Sequence, residues 1–540
     1  MKSQYLLACG LIGLLAAHPA SAQMSMPMPM GHDMSTHAPA KKKPVAKKKP
    51  AAKPVAKKPA AKKPVVTKKA AAPAPAHHHP AAATPAAELA PVDHSAHMDM
   101  PMPVTPAAPT PADPHAGHDM GAMTPPPAQP AGVHAGHDMT GMGTGEHGGH
   151  AMTGALGTYP AGRESSGTAW APDSTEHRGL MAMSGDWMLM GHADLFLVHS
   201  KQGSRRGDGK TFPAGMVMGM ARRPVGQGTL QLRAGFSPDP LMGKRGYPLL
   251  LASGETANGR DRLIDRQHPH DFVMELSASL SQPIGPKSSV FLYGGLPGEP
   301  AFGPGAFMHR ESIMDSPEAP ITHHWLDSQH ISFGVVTGGV VLDRVKFEVS
   351  RFNGREPDQK RWNIETGPLD STALRASWNP TQDIALQLSW ADLKDPEQLE
   401  PGVDQKRWSA SGMWAHSFGD GSRVATTLAW GRRTVEGHSY DAFAAEASLK
   451  KGLWTLFGRG ELTENNELVP VADEEEGHHG EAFRVGKISA GAIRDFAVAE
   501  QVKLGVGGLL SVNFVPDGLK PEYGKSNPLG AMAFIRLKVG

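Results

Sequence analysis

From Trp170 onward the chain is written in a period of two, and this alternation limits its possible folds more than any other feature. Leu230, Leu232, Ala234 and Phe236 alternate with Gln231 and Arg233, and Val345, Phe347 and Val349 with Lys346, Glu348 and Ser350. Ile384, Leu386, Leu388 and Trp390 alternate with Asp383, Gln387 and Ser389; the C-terminal Ile535, Leu537 and Val539 alternate with Arg536 and Lys538. Successive side chains of a strand point to opposite faces, so each run predicts a strand with one apolar and one polar face. About sixteen such runs occur, near 186–198, 213–221, 227–237, 270–281, 288–296, 328–341, 345–353, 371–379, 383–391, 407–418, 422–432, 440–450, 453–463, 482–495, 501–514 and 528–539.

Their connections alternate in length. Leu342-Asp343-Arg344, Asn379 to Gln382, Gly419 to Ser422 and Lys451-Gly452 are short, 433–439 is intermediate, and 354–370, 392–406 and 464–481 are long. Tight turns at one end and longer loops at the other are what a transmembrane barrel needs, and each run approximates the roughly 9–11 residues that cross a bilayer obliquely. Trp378, Trp390, Trp408, Trp414, Trp430 and Trp454 fall near strand ends, as interfacial girdles do. The expected fold is therefore all-β, a transmembrane antiparallel barrel of about sixteen strands over 186–540. A transmembrane helix is not expected, because the longest remaining apolar run, Ile331 to Leu342, is too short and rich in glycine.

What precedes the barrel is different. Met1-Lys2, an apolar run from Tyr5 to Ala17 and Ala20-Ser21-Ala22 read as a secretory signal over 1–22, cleaved before Gln23. Cys9, the single cysteine, lies within it, so the mature chain has no thiol and soft-metal chemistry falls to Met and His. Residues 23–158 are Ala, Pro, Lys, His, Met and Gly with hardly an aromatic, and such a composition cannot bury enough apolar surface to offset chain entropy. A disordered tail is expected there, with 159–185 as a linker into the barrel. The Lys-Pro-Ala section, Lys41 to Lys69, reads as an extended, charged spacer that could also attract anionic envelope polymers; nucleic acid is not expected for an exported chain.

The tail carries one motif twice: His115-Ala-Gly-His118-Asp119-Met120 and His134-Ala-Gly-His137-Asp138-Met139. Looser copies are His32-Asp33-Met34 and Asp93-His94-Ser95-Ala96-His97-Met98-Asp99-Met100. Imidazole suits Cu(II) and thioether suits Cu(I), and His-rich tracts can wrap an ion without a buried pocket. A second cluster lies in the long connections 238–269 and 297–327, expected at the outer mouth and able to fold into the lumen: His268-Pro269-His270-Asp271, His309, and His323-His324-Trp325-Leu326-Asp327-Ser328-Gln329-His330. His268, His270, His323, His324 and His330 could bind a divalent ion, with Met308 and Met314 as softer contacts; packing and hydrogen bonding with Arg262, Arg266 and Arg310 would equally account for them. The acidic loop Asp473 to Glu481 reads as a solvated surface loop. An enzyme is not expected, for the sequence has no Gly-x-Ser-x-Gly elbow, His-Glu-x-x-His helix or Gly-rich phosphate loop.

In organisation, through Asp93 to Met100, His115 to Met120 and His134 to Met139, the chain resembles the copper-resistance B outer-membrane proteins. Its repeat departs from that family's Asp-His-x-x-Met, and the stretches Asp265 to Asp271 and His323 to His330 point to another bacterial outer-membrane barrel family. The resemblance implies copper binding and tolerance at the outer membrane, with a periplasmic tail that takes up copper or silver ions. The other expectation is a narrow outer-membrane channel for a small solute, with the tail as a tether; a third is a structural tail that holds the envelope layers together.

Overall fold

The computed structural model describes residues 152–176, 179–470 and 480–540. In chain order the strands are β1 (Leu180–Ser184), β2 (Trp187–Gly203), β3 (Gly209–Val225), β4 (Gly228–Phe236), β5 (Tyr247–Thr256), β6 (Arg262–Gln267), β7 (Val273–Gly285), β8 (Ser288–Gly295), β9 (Val335–Leu342), β10 (Val345–Phe352), β11 (Ser371–Trp378), β12 (Ile384–Leu393), β13 (Gln405–Ser417), β14 (Ser422–Val435), β15 (His438–Lys451), β16 (Trp454–Asn465), β17 (Phe483–Ala499), β18 (Val502–Phe514) and β19 (Leu529–Val539). All but β1, β5 and β6 form one closed antiparallel barrel of sixteen strands, β19 returning to β2 in the register Ile535↔Leu197. Every strand expected from the alternation is present. Strand β9 starts later than its run, at Val335, and β7 starts at Val273, so His270-Asp271 lie in the loop before it.

The outward face is the apolar one. Phe347 and Leu388 are each 50% exposed, whereas Lys346 is 0% and Arg536 1% exposed on the inward face. A closed cylinder with such an outer surface is a membrane-spanning barrel, since in water that area would be an aggregation surface. The tryptophans mark its two edges. Trp378, Trp414 and Trp454 lie next to short turns, while Trp390 and Trp408 form a cross-strand pair toward the long loops, near Trp430. One turn on the long-loop side is tight: Glu436 and Gly437 join β14 to β15 with φ of 48° and 86°, the positive pair of a type I′ hairpin.

The lumen is filled. In an open pore the inward residues of the wall would meet water, yet Thr337, Ser350, Arg407, Lys487 and Asn513 are each 0% exposed. Two insertions from the long-loop side cover them: the β4–β7 connection, which carries the β5–β6 hairpin, and the β8–β9 connection, 296–334. They bring apolar surface as well as polar groups. Tyr247, Leu249, Leu250, Ala319 and Ile321 pack with wall residues Phe212, Phe457, Ile493 and Phe534. Trp325 packs on Ala429 and Tyr440, donates from Nε1 to Tyr440 O at 3.1 Å and lies under Arg433.

From the short-turn end the lumen is crossed by residues 152–176, a belt with almost no regular structure that is pinned by successive strands. Ser281 and Ser289 donate to Ala155 O and Leu156 O, Arg163 donates to Asp343 O, and Asn379 donates to Ala171 O. Lys346, fully buried, bonds to Thr168 O and sits 4.9 Å from the Trp170 ring. Backbone carbonyls of the belt thus satisfy inward-facing wall donors that would otherwise be stranded.

Candidate metal centre in the lumen

Three short segments bring five histidines together. His268 and His270 flank Pro269 just before β7; His323 and His324 belong to the helical turn His323–Leu326; His330 closes the turn Ser328–His330. Ring centroids lie 5.2 Å apart for His270 and His330, 5.3 Å for His323 and His330, 5.6 Å for His268 and His324, 5.7 Å for His323 and His324, and 6.0 Å for His268 and His323. Gly254, at φ 114°, makes room: a Cβ there would fall 2.6 Å from the His324 ring. The five histidines expected from the sequence as lumen metal candidates are therefore brought together. The tail candidates His32, Met34, His94, His97, Met98, Met100, His115, His118, Met120, His134, His137 and Met139 lie outside the described residues, as does most of the acidic loop Asp473 to Glu481.

Each ring is held by Nδ1. His270 Nδ1 is 2.8 Å from Asp239 Oδ2, His323 Nδ1 2.8 Å from Asp327 Oδ1, His324 Nδ1 3.1 Å from Glu356 Oε1 and His330 Nδ1 2.7 Å from Asp327 O, while His268 Nδ1 bonds to Pro269 O at 3.5 Å and lies 3.1 Å from Glu255 Oε1. Since carboxylates and a carbonyl accept, Nδ1 carries the proton in the neutral ring and Nε2 keeps its lone pair. The Nε2 atoms of His268, His270, His324 and His330 are buried and find no hydrogen-bond partner among the described residues. Carboxylate-oriented imidazoles with free Nε2 atoms are the arrangement that surrounds protein-bound transition metals. Of the arginines named in the sequence reading, Arg310 joins Asp327, the carboxylate that holds His323, to Glu446; Arg262 joins Glu397, Glu400 and Glu467; and Arg266 reaches Asp208.

Electrostatics divide the rings. Burial, with Arg361 and the other imidazoles adding to it, holds His268 well below the ordinary imidazole value, and burial with His270 and His323 does the same to His330. Burial opposes charge on His324 too, but Glu356, Glu467 and Glu255 outweigh it and raise that ring. Burial pushes Glu255 up to about 7 against the pull of Arg361. In the positions shown, no three His, Cys, Asp or Glu groups among the described residues together enclose an ion. A tetrahedral imidazole set with metal–nitrogen bonds of about 2.0–2.1 Å has ring centroids about 5.2 Å apart. The ring centroids of His270, His323 and His330 lie near that spacing along two of their three edges and 6.4 Å apart along the third.

Sequence reasoning found the imidazoles from their spacing but not Asp239 and Glu255, farther back in the connection that carries His268 and His270, nor Glu356 of the β10–β11 loop, none of which carries a local signal. No family model matches the chain, and no curated protein does. Among solved structures, OmpT of Vibrio cholerae aligns at 9% identity over 66% of this chain and 100% of that one, with a TM-score of 0.38. An anion-selective porin from Comamonas acidovorans aligns at 12% identity over 65% and 99%, with a TM-score of 0.37. OmpF of Salmonella typhi in complex with daunomycin aligns at 12% over 66% and 100%, with a TM-score of 0.40. Likenesses of this size carry no argument about the site.

Proposed function

We propose that the chain is an outer-membrane barrel, closed at rest, that binds copper ions both in its lumen and in its His/Met tail and so serves metal tolerance or export rather than catalysis. The reading is carried by the four buried Nε2 atoms of His268, His270, His324 and His330, each on a ring oriented through Nδ1. A buried acceptor without a partner costs about 1–3 kcal/mol, and a single cation satisfies several at once. Imidazole nitrogen suits Cu(II), and the tail repeats add thioethers that suit Cu(I) or silver. The tail is periplasmic in this reading, with short turns on that side as barrels of this kind have them. Its Lys-rich section is a spacer that can touch anionic envelope polymers.

The test is the metal content of the full-length protein after exposure to copper salts, measured beside a tail variant with its His and Met replaced and beside His268→Ala/His330→Ala. Each variant should lose part of the copper, and cells carrying both should lose protection. Unchanged copper in the lumen variant would remove the lumen from the reading, and unchanged copper in the tail variant would remove the tail. A second reading, a narrow solute channel with the tail as tether, is favoured by a polar cavity of about 280 Å³ lined by Glu176, Asp315, Lys450, Asp495, Lys503 and Lys538. It requires the plug to move, and then solute uptake should survive removal of the tail residues.

A further inference from the structure

The inward face of β3 changes character along its length. Phe212 and Ala214 join the apolar packing around Tyr247 and Leu249, but the next three inward positions are Met216, Met218 and Met220. Their cross-strand partners on β2 are Asp194, His192 and Met190. Two strands along the same wall, Met274 is buried at the bulge where β4 pairs with β7, and Met308 and His309 come from the β8–β9 insertion. Met216, Met218, Met274, Met308, His309 and His330 line one cavity of about 20 Å³. That is room for about one water-sized species. Met314 is not among its lining residues.

We propose that this cavity binds a soft monovalent ion, Cu(I) or Ag(I), through the thioethers of Met216, Met218, Met274 and Met308 and the imidazole of His309. The donor set is the argument. Thioether sulfur is a poor ligand for hard or strongly hydrated cations and a good one for Cu(I). Met216 and Met274 also pack with Ile331 and Phe333, and Met308 packs against them, so the thioethers border an apolar cluster as well as the cavity; a core by itself does not require four residues as flexible as Met. Met216, Met218 and Met274 are buried, at 3%, 5% and 6% exposure, so an ion among them is shielded from water. His309 stays neutral, since burial, with His192 and Arg233 adding to it, lowers it to about 3. The carboxylates of Glu275 and Glu299 reach the same cavity, and burial raises Glu299 to about 7.

The place of the cavity adds a consequence. It is bounded by Ser166 and Gly167 of the belt on one side and by His330, a member of the histidine cluster, on another. Met190 and Met220 continue the thioethers along β2 and β3 toward the short-turn end. Sulfur donors therefore follow one another along the inward faces of β2 and β3 from the short-turn side to the cavity, which His330 also borders. The site stands on side chains other than those of the histidine centre, His330 apart, and needs no change of oxidation state.

The experiment uses silver, which does not change oxidation state, and the full-length protein in detergent. Retained Ag(I) per chain is measured after a wash with a thioether-competing ligand, for the wild type, for Met216→Leu/Met218→Leu/Met274→Leu/Met308→Leu, and for His268→Ala/His323→Ala. Leucine conserves volume closely, so the first variant should fold, as judged by heat-modifiable migration. The expected result is that the Leu variant loses about one retained equivalent yet keeps its Cu(II) uptake, while the His variant keeps the silver. Equal retained silver in wild type and Leu variant overturns the proposal, as does loss in the His variant alone. If the fourfold variant does not fold, Met216→Leu/Met218→Leu and Met274→Leu/Met308→Leu are measured separately, and no loss in either overturns it. Loss of Cu(II) uptake in the His variant reports on the histidine centre and leaves the silver result untouched.

Discussion

Arg310 is the residue on which closure of the lumen most visibly depends, and replacing it by methionine makes the dependence measurable. Its guanidinium spans from plug to wall: Nε and Nη2 donate to Glu446 of β15 at 2.9 and 2.7 Å, while Nη1 donates to Asp327 Oδ2 at 2.5 Å and Gly305 O at 2.9 Å. The three charged side chains are 0–1% exposed. Arg310→Met keeps the apolar stem of the side chain and leaves Asp327 and Glu446 without the cation that joins them. Removing one partner of a buried ion pair costs about 3–5 kcal/mol. The cost falls only on the closed state, since both carboxylates hydrate once the plug moves, so the closed-to-open ratio should fall about 10²- to 10⁴-fold. Single-channel recording in planar bilayers reads this directly, as rare openings in the wild type and frequent ones in the variant. Arg310→Met/Glu446→Met supplies the control: it removes the stranded wall charge and leaves Asp327 bonded to His323 and to Phe307 N–H, and it should close the barrel again. A single variant as silent as the wild type, or a double variant as open as the single, would refute the plug as built here.

The remaining expectations concern the histidines and the lipid face. Asp239→Asn and Glu356→Gln each remove the carboxylate that orients one ring, His270 or His324, and should weaken lumen metal binding about 10- to 100-fold in competition titrations; unchanged affinity would mean that the rings are oriented by packing alone. His268 and His330, kept neutral mainly by burial, have no proton to give up when an ion enters, whereas His324, raised by its carboxylate neighbours, has one. Lumen affinity should therefore fall as pH falls from neutrality, with proton release on binding that His324→Ala reduces, the remainder coming from Glu255; calorimetry in buffers of different ionisation enthalpy measures it. Leu428, 66% exposed near the middle of β14, faces lipid, and Leu428→Arg should destabilise the inserted barrel by about 2–4 kcal/mol in urea unfolding from vesicles; an effect within error would place that face outside the bilayer.

The wall was legible in the sequence and its contents were not, and one physical fact accounts for both. Lipid imposes a strict rule on outward positions, so Leu386, Leu388 and Trp390 or Ile535, Leu537 and Val539 announce their strands without help from anything distant. Inward positions answer to whatever fills the lumen. Lys346 and Arg407 would be polar whether they met water or a plug, and only their complete burial tells the two apart. The plug was hidden for the same reason. Leu249-Leu250-Leu251 is buried on every side and so has no period; 152–158 reads as the end of a disordered tail and 159–176 as a linker, yet both are ordered in the lumen and their carbonyls cap the wall's donors. The imidazoles were legible because metal-type residues stand out against a polar loop, but their carboxylate partners arrive through closure of the barrel, which brings Glu356 of the β10–β11 loop to His324 across a separation of 32 residues. The Met216, Met218 and Met220 series was visible all along as alternation, and what it lacked was direction: a period of two says that three thioethers share a face, and only the closed cylinder says that this face is the inside.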